Sequence, residues 1–437
     1  MAKVNLITTE NVTPAELASL KGLLSTQAGT AANPYIIASR ADLEQLRTDV
    51  ANGDCKEGVH FLQAADIDMG DEPWPGIGRK KHELPDEYPG LSDEPLEDYC
   101  FKGVYDGGGH SVYNLKFPLV EGDDVLDGTN ELYGLFRSCM GATIRNLSVY
   151  VAQDGYGKDK KFGGAAIVGT VKDGITLVNC TAGGYLGSRE NPCGHNAAGV
   201  IAYVCTPTSA ADAGTFAHCV HLVNVTNNVN VFATRKVGGI VAFLVHDIIL
   251  ENVVNNGNVV RVTGSSRADD AVGGIVGFAH YTTLPTYRLN GVVNAGHVEV
   301  SADAADGTKG SCGQLVGCFC ARGGFNTGDI GLRLDKAALP LTRYTSYFNV
   351  LGGLRFKFGV VGADGLCHVV PELVDGGTYV YLIGKATDCA LNLPAGAKVT
   401  IDQRFGVPNF TVGAGLAVSG VQEGDTGLWT YTVTAAS

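Results

Sequence analysis

The fold follows from the heptapeptide VGGIVAF at residues 237–243 and from its near copy VGGIVGF at residues 272–278. An apolar, asparagine-rich segment comes after each copy: LENVVNNGNV at 250–259 and NGVVNAGHV at 290–298. Short runs of β-branched residues separated by glycine and asparagine predict strands joined by tight turns, some of which need a positive φ. Between the copies, apolar residues do not recur every 3.6 positions as they would along one face of a helix. The pattern therefore disfavours leucine-rich and helical repeats.

Looser copies of the glycine-containing core lie on both sides of these two: GGAAIVG at 163–169, AGVIAY at 198–203 and CGQLVG at 312–317. Each copy has a central Gly-Gly pair, or a pair such as Ala198-Gly199 or Gly313-Gln314 in its place. The second residue of this pair is 164, 199, 239, 274 and 314 in the five copies, which gives steps of 35, 40, 35 and 40 residues. A period of this length indicates stacked repeats. The sequence therefore predicts an all-β fold in which the repeats stack as a parallel β-helix, or β-solenoid.

The same residues carry a family resemblance. The core GGIVGF followed by the pattern Asn-x-Gly-x-Val resembles the GLUG repeat of bacterial surface proteins. FKGVYDGGGHSVYNL at 101–115 resembles the segment that commonly precedes such repeats, and YGLF at 133–136 with ATIRNL at 142–147 resembles the segment that follows it. The resemblance covers about residues 32–330. It implies a right-handed parallel β-helix and no particular activity.

Changes of composition along the chain predict four regions. They are an N-terminal attachment arm with a short helix (1–31), a capping strand and helix (32–69), the β-helix with lateral loop insertions (70–340) and a C-terminal β module (344–437). In the second region Ser39 is a helix N-cap, and Leu43, Leu46 and Val50 share one face. An amphipathic helix at this place is expected to cover the open edge of the first coil. Period-two alternation in the last region predicts antiparallel strands.

Segments rich in charge or proline predict insertions that leave the stack, because such residues fit poorly into buried strands. They lie at 70–100, 120–130, 153–161, 206–216 and 264–270. In solenoids such insertions tend to gather on one face, and that face is often the binding face.

The charge balance excludes some partners. Lys and Arg total 32 against 45 Asp and Glu, a formal net charge of −13, which disfavours nucleic acid and anionic membrane surfaces. No apolar run reaches the roughly 18 residues that a membrane span requires, so we expect no membrane insertion. The N-terminus MAKVN has no apolar signal segment.

The twelve cysteines are scattered and mostly flanked by apolar residues, which predicts buried thiols and folding in a reducing cytoplasm.

Two groups of carboxylates are candidates for chemistry. Asp66, Asp68 and Asp71 bring oxygen ligands together and are weak candidates for a calcium site, although a structural turn is the preferred interpretation. Asp269, Asp270 and Glu299 lie in adjacent stretches. They are the catalytic candidates if the protein cleaves polysaccharides, since such enzymes need converging carboxylates.

Other motifs do not point to a cofactor. The turn DGGGH at 106–110 places Asp106 near His110, but a Gly-rich phosphate site would need a following helix, and none is predicted. The preferred interpretation is a turn in which Asp106 bonds its own backbone. The His and Cys clusters lack the spacing of a structural zinc site. We therefore expect no cofactor and no metal.

The parts predicted here favour a non-enzymatic structural or host-recognition surface protein, such as a phage virion fibre, spike or decoration protein with a rigid β-helix shaft. A bacterial cell-surface adhesin with GLUG repeats and a polysaccharide lyase or glycoside hydrolase remain alternatives. We expect a homotrimer joined through residues 344–437, because exposed strand edges invite pairing and closed symmetry removes them. The arm would contact another virion or cell-surface protein, and a surface glycan is a candidate ligand. The expected location is a virion or an extracellular surface.

Overall fold

The computed structural model describes most of the chain from Gly29 onward. The described residues are 29–78, 99–119, 131–159, 162–205, 219–245, 247–262, 270–281, 287–300, 311–313, 315–321, 332–335, 358–361, 366–370, 373–381, 390–402, 409–424 and 428–437. Residues 1–28 of the predicted arm (1–31) lie outside them. Within them the secondary structure is almost entirely β, with one helix, α1 (Arg40–Ala51).

The strands follow one another at short intervals along the chain. The first half contains β1 (Tyr35–Ile37), β2 (His60–Gln63), β3 (Ile67–Asp68), β4 (Val104–Asp106), β5 (Ser111–Leu115), β6 (Glu131–Tyr133), β7 (Phe136–Arg145), β8 (Ser148–Gln153), β9 (Phe162–Gly164), β10 (Val168–Val178), β11 (Thr181–Leu186), β12 (Ala197–Ala198), β13 (Ile201–Val204), β14 (Val220–Val223), β15 (Thr226–Ala233) and β16 (Lys236–Gly238). The next part contains β17 (Val241–Leu244), β18 (Ile248–Glu251), β19 (Val254–Asn255), β20 (Val259–Arg261), β21 (Ala271–Gly273), β22 (Val276–Tyr281), β23 (Tyr287–Asn290), β24 (Val293–Asn294), β25 (Val298–Val300), β26 (Ser311–Gly313), β27 (Val316–Ala321) and β28 (Leu332–Asp335).

These strands form three long parallel sheets, in which each strand pairs with its equivalent one coil later. The first sheet runs from β1 through β2, β4, β7 and β10 to β27 and β28. The second runs from β3 through β5, β8, β11 and β15 to β24 and β25, and the third from β6 through β9, β12, β16 and β21 to β26. This pairing is that of a β-helix-like fold, as the repeat spacing predicts.

The register confirms most of the predicted repeat and corrects its first step. Ile201 pairs with Val241, Val241 with Val276 and Val276 with Val316, which gives the expected steps of 40, 35 and 40 residues. At the first step, however, Gly164 lies beside Ala197, not beside Gly199. A glycine pair found by sequence similarity alone was thus aligned two residues out of register, because glycine occurs at more than one position of the turn.

One corner of the coil is built by asparagines in the left-handed conformation. Asn146, Asn179, Asn224 and Asn252 have φ between 52° and 55°. The amide nitrogen of each donates to the side-chain oxygen one coil below, with distances of 3.1, 3.0 and 3.2 Å within this row. Asp106 begins the row by accepting from Asn146 at 3.0 Å. Asparagine suits this place because it tolerates positive φ and can bond the next coil.

A second row of asparagines lies inside the coil. The buried amides of Asn227, Asn255 and Asn294 are joined by two hydrogen bonds of 2.7 Å each. The glycines of the repeat make room for them: a Cβ on Gly199 would lie 2.0 Å from Oδ1 of Asn227, and one on Gly239 would lie 2.5 Å from Cγ of Asn255. The glycine in VGGIV and the asparagine in the following tail are therefore parts of one packing unit.

The core is a continuous apolar cluster of Val, Ile, Leu, Ala and Phe side chains along the inside of the coils. The predicted helix is present as α1, with Ser39 as its N-cap and with Leu43, Leu46 and Val50 buried in the same cluster. Its Arg40 guanidinium donates to the carbonyls of Met69 and Glu72, which fixes the start of the helix to the first coil.

Two of the predicted insertions are partly inside the stack. Trp74 is fully buried, and its indole N–H donates to the carbonyl of Leu135 at 2.9 Å. Tyr156 donates to the carbonyl of Phe117 at 2.8 Å and packs edge-on against Phe162. The expectation that all of 70–100 and 153–161 leaves the stack is therefore wrong, because isolated aromatic residues in these polar stretches provide enough burial to hold them against it.

The remaining predicted insertions, at 120–130, 206–216 and 264–270, lie outside the described residues except for Asp270. The expectation that the insertions gather on one face stays a prediction.

The C-terminal strands are β29 (Phe358–Val361), β30 (Leu366–Val370), β31 (Thr378–Tyr381), β32 (Ala390–Leu393), β33 (Lys398–Asp402), β34 (Asn409–Val412), β35 (Leu416–Gln422) and β36 (Leu428–Ala435). The pairs β29–β30, β29–β31, β33–β36 and β35–β36 are antiparallel, as expected. The pairs β31–β33 and β32–β34 are parallel, so the purely antiparallel expectation is corrected to a mixed arrangement. Residue alternation identifies a strand, but the connection sets its direction.

The close approach at Gly239 gives the first testable prediction. A Cβ at this position would lie 2.0 Å from the carbonyl oxygen of Gly274 in the next coil. We expect Gly239→Ala to lower the free energy of unfolding by about 3 kcal/mol, because backbone must move to relieve the overlap. Gly413→Ala is the control, since its Cβ would meet only Leu416 at 3.7 Å. Urea denaturation of both variants tests this, and equal stability of the two would contradict it.

Candidate functional site

The outer face of the second sheet carries three exposed tyrosines in its early coils. Tyr113, Tyr150 and Tyr185 are 37%, 43% and 42% exposed. Tyr113 follows Val112, which pairs with Val149, so Tyr113 and Tyr150 lie on adjacent coils. Tyr150 pairs with Gly183, and its ring fills the space that a side chain there would occupy, with Cδ1 2.6 Å from a Cβ added to Gly183. We call these three residues the tyrosine platform.

Asparagines continue the same face in the later coils. Gly183 pairs with Asn228, and Tyr185 pairs with Asn230, so the amides begin where the tyrosines end. Asn256 donates to Asn228 at 2.9 Å, and the backbone N–H of Asn258 donates to the side chain of Asn230 at 3.0 Å. We call Asn228, Asn230, Asn256 and Asn258 the amide rows. His297 follows Asn258 in the next coil, where its backbone N–H donates to that side chain at 3.2 Å.

An ion pair lies at the far end of this face. Arg189 holds Glu299 through two hydrogen bonds of 2.8 and 2.6 Å, and the His297 imidazole lies 3.2 Å from the same carboxylate. The hydrogen bonds from Arg189 hold the pKa of Glu299 below its usual value, with a further contribution from His297. A general acid of a glycosidase needs a raised pKa. Glu299, a catalytic candidate from the sequence, is therefore set up as a structural ion pair.

The other described catalytic candidate, Asp270, lies in a different environment. It is fully buried, and Oδ1 is 3.6 Å from Nε of Arg235 in the preceding coil. Arg235 in turn contacts Nε2 of the buried His195 at 2.5 Å. A guanidinium only donates, so His195 accepts through Nε2. As the structure stands, no substrate reaches Asp270, and Asp269 lies outside the described residues.

This buried column of His195, Arg235 and Asp270 was missed by sequence analysis. The three residues come from successive coils, because Ala197 pairs with Val237 and Lys236 pairs with Ala271. Lys236, next to the column, is buried with Nζ 5.1 and 4.9 Å from the ring centres of Phe243 and Phe278. The spacings between these three residues, 40 and 35, equal the lengths of the two coils. The column could therefore have been found in the sequence once the register of the coils was known.

The three candidate metal ligands are each bonded to a different protein donor. Asp66 accepts from the backbone of Ser111 at 2.8 Å, and Asp68 accepts from Gly70 and Asn114 at 2.8 Å each. Asp71 pairs with Lys116 at 2.7 Å. Among the described residues no three His, Cys, Asp or Glu side chains form a group that could hold a metal ion. Asp66 ties the residue before β3 to the next coil, and Asp68 ties the turn after β3 to it.

The acid and imidazole of the DGGGH turn do not pair with each other. Asp106 accepts from the backbone N–H of Gly108 at 3.0 Å, which confirms the predicted turn, and from Arg145 at 2.8 Å. His110 instead lies 3.3 Å from Asp66. Burial alone would raise the pKa of Asp106, but the hydrogen bonds from Asn146, Gly108 and Arg145 outweigh it and hold that pKa below its usual value. The turn stabilises the corner of the coil.

The buried cysteines that the structure describes inside the coil are thiols. Cys139, Cys180 and Cys193 are buried and form no disulfide, as predicted for these three. Burial raises the pKa of Cys180 to about 12 and raises those of Cys139 and Cys193 well above the usual value. A thiolate is the reactive form, so these side chains are inert packing groups at neutral pH.

No helix among the described residues has the length and hydropathy needed to cross a bilayer. No protein-family model matches the chain, and comparison with curated proteins found no match. The resemblance to GLUG repeats therefore rests on the motifs alone.

Two solved structures align with this chain. A candidate immunoglobulin A1 protease from Bacteroides ovatus aligns with a TM-score of 0.44 and 18% identity, over 79% of this chain and 95% of that one. An IgA1 protease aligns with a TM-score of 0.35 and 14% identity, over 66% of this chain and 21% of that one. Neither similarity is close enough to transfer an activity to this chain.

The depressed pKa of Asp106 gives a pH-dependent prediction. Because its folded pKa lies below the unfolded value, its ionised form stabilises the fold above about pH 4, and this stabilisation is lost as the pH falls through the folded pKa. We expect Asp106→Asn to lower the melting temperature at pH 7. The difference from the unchanged protein should narrow steadily below about pH 4. A difference independent of pH in thermal melts would rule out this role of the charge.

The buried pair of Arg235 and Asp270 gives a prediction of non-additivity. Removing one partner of a buried ion pair costs about 3–5 kcal/mol, whereas replacing both by apolar groups is often close to neutral. We expect Arg235→Met to lower the free energy of unfolding by that amount and Arg235→Met with Asp270→Leu to recover most of it. A double-mutant cycle by urea denaturation measures the coupling. Losses that simply add would show that the pair is not an energetic unit.

Proposed function

We propose that this chain is a non-enzymatic structural and host-recognition protein of an extracellular surface. It acts as a virion fibre, spike or decoration protein in which the β-helix is a rigid shaft. The observation that supports this best is the stacking of the described strands from β1 to β27, with one asparagine row at a corner of the coils and another inside them. Parallel strands lie about 4.8 Å apart, so the paired coils from β1 to β27 span roughly 40 Å.

The state of the polar candidates also supports a non-enzymatic role. Glu299 is neutralised by Arg189, and Asp270 is buried beside Arg235. Asp66 accepts from the backbone of Ser111, and Asp68 holds the turn at Gly70. Carboxylates engaged in this way contribute to the fold.

Finer features of the architecture belong to the same proposal. The coil is right-handed, and α1 covers the open edge of the first coil, where its buried leucines join the core. Residues 344–437 are the C-terminal module, and its strand β30 pairs antiparallel with β28 at the end of the first sheet. The N-terminal arm attaches the shaft to another surface protein. The module joins three copies: Val374 and Val421 are exposed by 62% and 67%, and β35 pairs only with β36 among the described residues. Exposed edges of this kind favour association.

The chemistry of the cysteines is compatible with folding in a reducing cytoplasm before release. Buried thiols in place of disulfides are the usual state in that compartment. An adhesin on a bacterial surface uses the same shaft and differs in location, so location separates the two.

Mass spectrometry of purified virions and, separately, of cell envelopes is the experiment that tests the function. We expect the chain among the virion proteins. Recovery from the envelope alone would favour the adhesin, and recovery from neither would overturn the proposal.

Light scattering should give a trimer for residues 1–437 and a monomer for residues 1–339. A trimer that survives the truncation would move the interface to the shaft.

A further inference from the structure

We propose that the tyrosine platform and the amide rows together bind an uncharged glycan on the outer face of the second sheet. This inference rests on the proposed recognition function and names the ligand class and the surface that it uses. The glycan lies along the stack, with sugar rings against the tyrosine platform and hydroxyl groups on the amide rows.

The three tyrosines are candidates for ligand contact, because the core does not enclose their rings. The three rings are about two-fifths exposed, whereas other aromatic side chains such as Tyr105 and Tyr133 are buried in the coil. Among the described residues none of the three stacks on another aromatic ring. Gly183 leaves the space in which the Tyr150 ring lies across the neighbouring coil, so a broad apolar surface faces outward. Exposed apolar rings grouped on one face indicate a binding surface.

The amide rows add directional groups beside the rings. In the described part of the chain, the side-chain nitrogens of Asn228, Asn230 and Asn258 donate to no protein acceptor, while their oxygens accept from the next coil. Each nitrogen offers two N–H donors. The hydrogen bonds between coils fix the orientation of these amides, so their free donors point outward without further ordering. Pre-ordered donors lower the entropic cost of binding.

The charged side chains named beside this face are paired with one another or hydrogen-bonded, which disfavours a charged ligand. Lys116 is paired with Asp71 at 2.7 Å and Arg189 with Glu299 at 2.6 Å. Asp68 is satisfied by Gly70 and Asn114. A polyanion or polycation would have to break these pairs or bind without a partner charge. A sugar ring has an apolar C–H face and a rim of hydroxyl groups, which matches an aromatic surface next to fixed amides.

A peptide ligand fits this face less well. Extended peptides bind by adding a strand to an open sheet edge. Here the strands of the second sheet are paired with the coils on both sides, so the backbone groups are already bonded. Only side chains are presented, and they repeat along the stack. A linear polymer with a repeated ring unit can use successive coils, so affinity should rise with its length.

The test uses the complete chain on a printed array of neutral and acidic glycans, followed by calorimetry with oligomers of increasing length of the best neutral binder. We expect binding to neutral glycans and an affinity that increases with length. Tyr150→Ala with Tyr185→Ala should weaken binding at least about tenfold, because the stacking surface is lost. Tyr150→Phe with Tyr185→Phe should retain most of the affinity, since the ring remains.

A matched control comes from the first sheet. Tyr35 is 40% exposed, close to the value for Tyr150, and lies on another sheet, so Tyr35→Ala should leave glycan binding unchanged. All variants are checked for unchanged melting temperature. Any of three results would overturn the inference: the protein binds no neutral glycan, it prefers acidic glycans, or the double alanine variant binds as well as the unchanged protein. Loss of the trimer in the double alanine variant would overturn it too, because the face would then be an interface between copies. A negative result here with the chain found in virions would leave the proposed function intact.

Discussion

The structure depends on a backbone conformation that most residues avoid. At one corner of each coil the chain turns through a left-handed residue, and in four successive coils that residue is asparagine, from Asn146 to Asn252. A left-handed residue with a Cβ costs about 1–2 kcal/mol. The side chain offsets part of this cost by bonding the coil below, and the same bond fixes the distance and register between coils. One residue type thus solves the turn and the stacking together.

The same constraint explains what could be predicted from the sequence. The VGGIV repeats and their asparagine tails specify a turn that needs glycine, a buried amide that needs the space beside it, and short strands between them. Three of the four repeat steps were therefore predicted correctly. The remaining step, the first, failed because Gly164 lies at the position that Ala197, Val237 and Val272 occupy in the following coils, so its glycine pair is not equivalent to theirs. Glycine is not confined to one position of the coil, and only the strand pairing shows which glycines correspond.

The candidate site was harder to predict, because its residues are defined by register. Tyr113, Tyr150 and Tyr185 are spaced by 37 and 35 residues, which is close to one coil each, but similar spacings arise by chance among seventeen tyrosines. Only the pairing of β5, β8 and β11 places them on one outward face. Carboxylates were given more weight than aromatic residues in the sequence, and the structure shows most of the described ones bonded to nearby donors. Trp74 was misjudged for a related reason, since its polar surroundings concealed a buried ring.

Inward, corner and outward positions of each coil have different requirements, and this difference bears on function. Inward positions must fill the core, and corner positions must satisfy the left-handed turn or leave room for an amide, so neither can change without cost to the stack. Outward positions on the sheets carry neither requirement. The glycan-binding proposal assigns the aromatic rings on adjacent coils, next to amides oriented by the stack, to contacts outside the protein. The hydrogen bonds of the asparagine rows fix the spacing of the coils, and with it the spacing of those rings.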